Sequence, residues 1–259
     1  MMPPVGWTSR GPVGVLAGVQ SQPPVDVGAA AAVVLAGGSG TRVGAGVNKV
    51  YLPLAGRPVI AWSMDVLAAL PGVGPVVLVV REPDREAAVA AVAGLRAPVE
   101  IVVGGANRQD SELAGLRQLA GRIADGRVHT VLIHDGARPL LRSALAARVL
   151  EVARAVGGAV PGLPRDDLVA AGADGRLAGP APAGLVAVQT PQGFRAAPLL
   201  AAYEAAARQG FVGTDTAACV AAFAPEVAVR RVVGDGRNFK ITFAHDLELA
   251  EAVLAGVSG

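Results

Sequence analysis

Lysine is rare in this chain of 259 residues: it occurs only at Lys49 and Lys240, against 21 arginines. Lys49 closes a glycine-rich stretch that begins Leu35-Ala36-Gly37-Gly38-Ser39-Gly40-Thr41-Arg42 and runs on through Gly44 and Gly46. Glycines in such a loop let backbone N–H groups turn toward an anion with no Cβ in the way. Lys49 lies seven positions after Arg42, far enough for the loop to fold back and bring both onto one polyphosphate. A guanidinium can grip phosphate oxygens bidentately, while an ammonium is a compact point charge that follows a phosphate as its charge shifts. A solvated surface lysine is the alternative for Lys49, but in this chain an incidental surface cation is expected to be arginine. Lys240, in "GDGRNFKITFAHDLELAE", follows the last expected strand and precedes the last expected helix, again an edge position. Both lysines are therefore read as touching phosphates. The loop is neither a dinucleotide fingerprint, since the third glycine of GxGxxG is Val43, nor a P-loop, since no GK[ST] follows.

The elements that must position these residues begin at residue 29. Short apolar runs at 29–38, 74–81, 99–105, 129–139 and 157–164 alternate with helix-like segments near 58–70, 84–95, 110–121 and 143–156. Strands separated by helices of that length predict βαβ units and a doubly wound, mostly parallel α/β sheet covered on both faces. In such sheets ligands sit beyond the carboxyl ends of the strands, which is where "GGSGTR", "GGANRQDS" and "HDGARP" fall. Residues 165–187 interrupt the alternation: "AGADGR" between short apolar pieces predicts a β-hairpin arm. Helices near 196–209 and 214–223, a strand near 227–233 and a helix near 245–255 follow. Residues 1–28, rich in proline and glycine without period, are read as a disordered extension, with 29–259 as the domain.

Composition narrows the classes. An apolar fraction of 52% with 17% charged residues is that of a globular chain. The net charge of +2 is scattered, unlike the basic stripe that tracks nucleic acid, and no run is long and apolar enough to predict a membrane span. The single cysteine, Cys219, favours a reducing, cytoplasmic setting and reads as a buried helix residue with no nearby cation to activate it. His129, His134 and His245 lack metal-ligand spacing and read as structural.

Taken together, "LAGGSGTR…NKVYL", "GGANRQDS", "IHDGARP", "AVQTPQGF", "TDTA" and "RNFKIT…DLELAE", in this order, resemble the 2-C-methyl-D-erythritol 4-phosphate cytidylyltransferase family of non-mevalonate isoprenoid synthesis, over about residues 30–255. The resemblance implies a Rossmann-like nucleotidyltransferase fold and transfer of CMP from CTP to a polyol phosphate. Ala36, Gly37 and Gly38, with Gly40, Gly105 and Ser111, would bind CTP, and Asp135 and Gly136 would lie near the ribose and the reacting centre. Arg42 and Lys49 would stabilise the pentavalent transition state and Lys240 would orient the incoming phosphate. Arg138, Thr190 and Thr214 would hold the polyol phosphate. It further implies Mg²⁺, held mainly by phosphates with Asp135 a possible ligand, and a homodimer in which the arm of one subunit helps close the other's site. The chemistry agrees with the residues: a phosphate monoester is already ionised near neutral pH, so no general base is needed, and the work is positioning and electrostatics.

Three positions depart from the family pattern. Leu168 and Pro182 stand where the family usually places a Thr and an Arg that reach the acceptor phosphate, and Asn48 replaces a proline. Either Arg165 or Arg176 supplies the lost cation, or the acceptor is another polyol phosphate such as ribitol 5-phosphate. From the residues alone, Asp135 could equally cap a turn, Thr190 be a satisfied strand-end hydroxyl, and Arg138 a structural ion-pair arginine.

Overall fold

The computed structural model describes residues 30–38, 48–95 and 97–256; the expected disordered extension over 1–28, Gly40 and Arg42 lie outside them. The first strand, β1 (Ala30–Leu35), is buried along its whole length, as its unbroken apolar run requires of a strand covered on both faces. A 3₁₀ turn over Lys49–Tyr51 leads to a small hairpin, β2 (Pro53–Leu54) and β3 (Arg57–Pro58). Its two-residue turn puts Ala55 at φ 46° and Gly56 at φ 78°, the left-handed pair that a tight hairpin needs. Then come α1 (Val59–Ala68), β4 (Val73–Val80), α2 (Arg85–Val92), β5 (Val99–Val103), α3 (Arg108–Gln118), the short α4 (Ala120–Ala124), β6 (Thr130–Asp135), α5 (Ser143–Val156) and β7 (Gly157–Pro164). Strand β8 (Val169–Ala171) pairs antiparallel with β9 (Leu177–Pro180) as a separate two-stranded ribbon. The chain ends with β10 (Val186–Val188), β11 (Gln192–Arg195), α6 (Ala196–Arg208), α7 (Thr216–Phe223), β12 (Ala228–Val233) and α8 (Ala244–Gly256).

The main sheet has eight strands in the order β10-β7-β11-β6-β1-β4-β5, with β12 beside β7. Strands β6, β1, β4 and β5 run parallel, as do β7 and β12, while β11 runs antiparallel between β6 and β7. The sheet is thus mostly parallel. The reversed strand β11 was not expected, because "QGFR" is neither apolar nor alternating. It packs through the missing side chain of Gly193, where a Cβ would lie 3.0 Å from both Ala153 and Leu132.

Alternation along β1 divides the core. Ala30, Ala32 and Val34 face Ile60, Met64 and Leu67 of α1 and Leu145 and Val149 of α5. Ala31, Val33 and Leu35 face Leu113 and Leu116 of α3 and Leu199 and Tyr203 of α6. That period-two split is what a doubly wound sheet demands. Cys219 is fully buried in the second cluster, and burial together with nearby Glu112 pushes its thiol up to about 11.

Candidate active site

The carboxyl ends of β1, β5 and β6 open into a cavity of about 270 Å³, lined among others by Gly37, Gly38, Lys49, Gly105, Arg108, Ser111, Asp135 and Lys240. Each wall has a local cause. After β5 the chain passes so close to α3 that a Cβ on Gly105 would sit 2.2 Å from the Asp110 Cβ, so only glycine fits. Asn107 then caps α3, its side chain accepting from the Asp110 amide at 2.9 Å, while the Ser111 hydroxyl donates to the Asn107 carbonyl at 2.9 Å.

Asp135, the last residue of β6, is 8% exposed and meets three cations. Lys240 Nζ lies 2.9 Å from its Oδ2, Arg108 Nη2 3.3 Å from Oδ1, and Arg138 Nε 3.8 Å from Oδ2. Burial would raise its carboxyl, but Lys240, Arg108 and Arg138 outweigh burial and hold it well below the usual carboxylate range. Lys240 comes from far along the chain, and its loop is fastened at several points. Gln189 donates to the carbonyls of Asp235 and Asn238 and accepts from the Asp235 amide. Asn238 donates to the Thr190 carbonyl at 2.8 Å, and the Ile241 amide donates to the Ala137 carbonyl.

The other lysine is set from the opposite side. Asn48, 1% exposed, donates to the Ala36 carbonyl at 2.6 Å and to Asp84 Oδ2 at 2.8 Å, and accepts from the Val50 amide at 3.4 Å. Asp84 is gripped by Arg81 through two bonds of 2.7 Å. The asparagine that departs from the family pattern therefore ties the start of the Lys49 turn to the end of β1. Asn48→Ala would leave the buried Asp84 short of a donor and is expected to lower stability by about 2 kcal/mol. Urea unfolding that changes by less than about 0.5 kcal/mol would show that the tie is dispensable.

Seven expected site residues, Gly37, Gly38, Lys49, Gly105, Ser111, Asp135 and Lys240, line this cavity. The other described ones do not, and the reasons are physical. The Ala36 amide donates to the Val79 carbonyl and its carbonyl accepts from Asn48, so it supports the loop from behind. Gly136 is a packing glycine: a Cβ there would lie 2.8 Å from Ile60 Cδ1 and 3.0 Å from the Leu35 carbonyl. Thr190 is 3% exposed, and its hydroxyl accepts from the Asp135 amide at 3.0 Å and faces His134 Nδ1 at 3.1 Å. Arg138 donates to the carbonyls of Asn238 and Val188, bracing the Lys240 loop. Thr214 is exposed on the segment leading into α7, which Gln109 of α3 holds by donating to the Phe211 carbonyl and accepting from the Gly213 amide. In the arm, Arg165 pairs with Asp167 at 2.6 Å and Arg176 with Asp174 at 3.5 Å, so each potential replacement cation has an acidic neighbour. Arg108 was missed by the sequence reading. Its signal was present, since it opens the helix that follows "GGAN" at a strand's carboxyl end.

His134 is fully buried beside Thr190, its Nε2 3.2 Å from the Arg138 carbonyl, and burial pushes the imidazole down to about 4 from its ordinary 6.5. Between those pH values the unfolded chain binds the proton and the folded chain does not, so stability falls as pH falls, by about 3 kcal/mol in all. Urea unfolding at pH 7 and pH 4.5 should show this slope, largely absent in His134→Gln. An equal slope in both proteins would assign the acid sensitivity elsewhere.

An α/β sheet with a glycine-walled, cation-rimmed cavity at its strand ends has the features of a site for phosphate-bearing ligands, and similarity to known cytidylyltransferases places the chain among the nucleotidyltransferases. Residues 30–256 match the family model for 2-C-methyl-D-erythritol 4-phosphate cytidylyltransferase. Proteins of that name from Geotalea uraniireducens and Cereibacter sphaeroides are 39% and 40% identical to it, each over 88% of this chain and 97% and 98% of their own. The crystal structure of the enzyme of that name from Thermus thermophilus superposes with a TM-score of 0.66 at 31% identity, covering 86% of this chain and 98% of that one. The protein belongs to the 2-C-methyl-D-erythritol 4-phosphate cytidylyltransferase family.

Proposed function

We propose that the protein transfers CMP from CTP to 2-C-methyl-D-erythritol 4-phosphate, giving 4-diphosphocytidyl-2-C-methyl-D-erythritol and pyrophosphate. A phosphate oxygen of the acceptor attacks the α-phosphorus of CTP, and the bond from that phosphorus to the bridging α–β oxygen breaks as pyrophosphate departs. The single observation that carries the reading is Asp135 with Lys240, Arg108 and Arg138 around it at the strand ends. Two polyanions can be brought together only against fixed positive charge, and such charge is most effective in a partly enclosed site. In this reading the loop from Gly37 to Lys49 cradles the triphosphate, Gly105 and Ser111 face the base, Arg42 and Lys49 steady the transition state, and Lys240 directs the acceptor phosphate.

Magnesium belongs to the same reading. Among the described residues no group of three or more His, Cys, Asp or Glu can hold a metal ion, and Asp135 is the only acidic residue among the described cavity walls. That donor set fits an ion held mainly by phosphates, since magnesium keeps several waters and takes one or two carboxylates; Asp135 would hold it. When bound, the ion would neutralise charge on the phosphates.

Dimerisation through the arm is supported by its exposed apolar side chains, Val169 at 57% and Leu177 at 71%. A cytoplasmic setting is supported by the single buried cysteine, and no helix among the described residues is long and apolar enough to cross a membrane. A second acceptor, ribitol 5-phosphate, is favoured by one observation, the apolar Leu168 and Pro182 on the exposed arm.

Pyrophosphate release with CTP and Mg²⁺, run in parallel with the two acceptors, separates them. Strong preference for methylerythritol phosphate is expected. Preference for ribitol phosphate would transfer the assignment to that substrate, and silence with both would sink CMP transfer altogether.

A further inference from the structure

One turn into α3, behind the cavity wall, lies a carboxylate with no counterpart in the chemistry above. Glu112 is 1% exposed. Its Oε1 lies 2.6 Å from Arg108 Nη1 and accepts from the Thr216 hydroxyl at 2.8 Å, while Oε2 accepts from the Tyr203 hydroxyl. Tyr203 and Thr216 are themselves fully buried, so donors from three helices, α3, α6 and α7, converge on two oxygens. Burying a carboxylate is costly unless it is paired and hydrogen-bonded; burial raises the Glu112 carboxyl, while Arg108 and the Tyr203 and Thr216 hydroxyls pull it back toward the ionised form that accepts from all three.

The other edge of the same guanidinium faces the cavity. Arg108 Nε and Nη2 lie 3.4 and 3.3 Å from Asp135 Oδ1. Arg108 therefore bridges two carboxylates, one at the site and one in the core. A long side chain with only the cavity-side contact would retain several rotamers, and holding it in one geometry before substrate arrives reduces the ordering required in the transition state. Thr216 adds a second link, because it opens α7 just after the segment that carries Thr214 and is held by Gln109 of the same α3.

We propose that Glu112 is a positioning residue for CMP transfer: it fixes the Arg108 guanidinium against Asp135 and, through Thr216, couples the nucleotide side of the cavity to the segment bearing Thr214. The proposal rests on the CMP-transfer reading. Glutamine in place of Glu112 keeps the shape but offers one acceptor oxygen and an NH₂ donor where three donors meet.

The test is a double-mutant cycle on the full chain, Glu112→Gln, Arg108→Gln and both together. It reads kcat and KM for CTP and methylerythritol phosphate, and CTP affinity by calorimetry. Glu112→Gln is expected to lower kcat/KM about tenfold and to raise KM for both substrates. The double variant should be no worse than Arg108→Gln within about twofold, because Glu112 acts through Arg108. A Glu112→Gln protein within about twofold of wild type, or losses that multiply in the double variant, would overturn the proposal. Should Glu112→Gln fail to fold, Tyr203→Phe decides. It removes one of the donors that fix Glu112 while keeping the Arg108–Glu112 pair, so kcat/KM lower by about threefold with KM raised for both substrates is expected, and a folded variant with kcat and KM unchanged would refute the positioning role. A wild-type protein inactive with both acceptors would refute CMP transfer, and the calorimetric cycle would then judge Glu112 by CTP affinity alone.

Discussion

Lys49→Ala is expected to lower kcat by a hundredfold or more, roughly 10²–10³, while CTP affinity falls by less than about tenfold. The asymmetry follows from where the charge is needed. On the proposed reading the ground-state charge of the triphosphate would be shared among the glycine-loop amides, Arg108, Lys240 and the ion carried by the phosphates, so one ammonium would be a minor part of binding. As the bond to the departing pyrophosphate breaks, charge accumulates on oxygens that a fixed cation can follow, and interactions stronger in the transition state than in the ground state raise turnover. Lys49 lines the cavity at 7% exposure, where solvent screens it little. Single-turnover measurement with saturating CTP checks this, and an unchanged rate would remove Lys49 from the chemistry.

Asp135→Asn is expected to lower both stability and activity. The variant loses the buried anion that Lys240, Arg108 and Arg138 surround, leaving three cations near one another, Lys240 exposed and the two arginines partly buried. With the removed anion buried but Lys240 exposed, solvent screens part of the remaining repulsion and the loss is expected to be about 2 kcal/mol, and the same change withdraws the cavity's acidic side chain from the ion it would hold, with turnover falling roughly 10²-fold or more. The pH dependence has a definite sign. Because the carboxyl is depressed in the folded protein, its contribution to stability is present above its ordinary range and is lost as pH falls toward the folded value. Urea unfolding at pH 7 that differs by less than about 1 kcal/mol between the two proteins would mean that the cations repel one another less than their spacing implies.

The parallel part of the fold was legible because it is written in apolar runs bounded by glycine or proline, and β1, β4, β5, β6 and β7 each begin within a residue of where those runs begin. What escaped was short or reversed. Strand β11 is held by its neighbours, Ile133 and Leu132 on one side and Ala159 on the other, and no local pattern in four residues announces that. The site divided along a similar line. Glycine and lysine positions could be read from types and spacing, since little else explains them. Thr190, Arg138, Ala36 and Gly136 sit in the same motifs yet point inward or have their polar groups engaged, and that depends on hydrogen bonds to residues as distant in sequence as Asn238. Arg108 and Glu112 were hidden for the opposite reason: on a helix rich in polar residues, a buried ion pair looks no different from a solvated one until the neighbouring helices arrive.

Strand β12 carries a consequence for the behaviour of the protein in concentrated solution. Among the described residues it pairs with β7 alone, so its outer row of amides and carbonyls is open, and Val229 and Val233 are 40% and 72% exposed. An apolar open edge of this kind is a template on which a second chain could extend the sheet without limit. Arg230 and Arg231 are consecutive in it, both exposed and on opposite faces of the sheet, and two copies meeting edge to edge would bring like guanidinium groups near one another on each face as the ladder formed. Charge at an open sheet edge opposes growth by edge-to-edge pairing, so this border is less suited to fibrous polymerisation than its valines alone would make it.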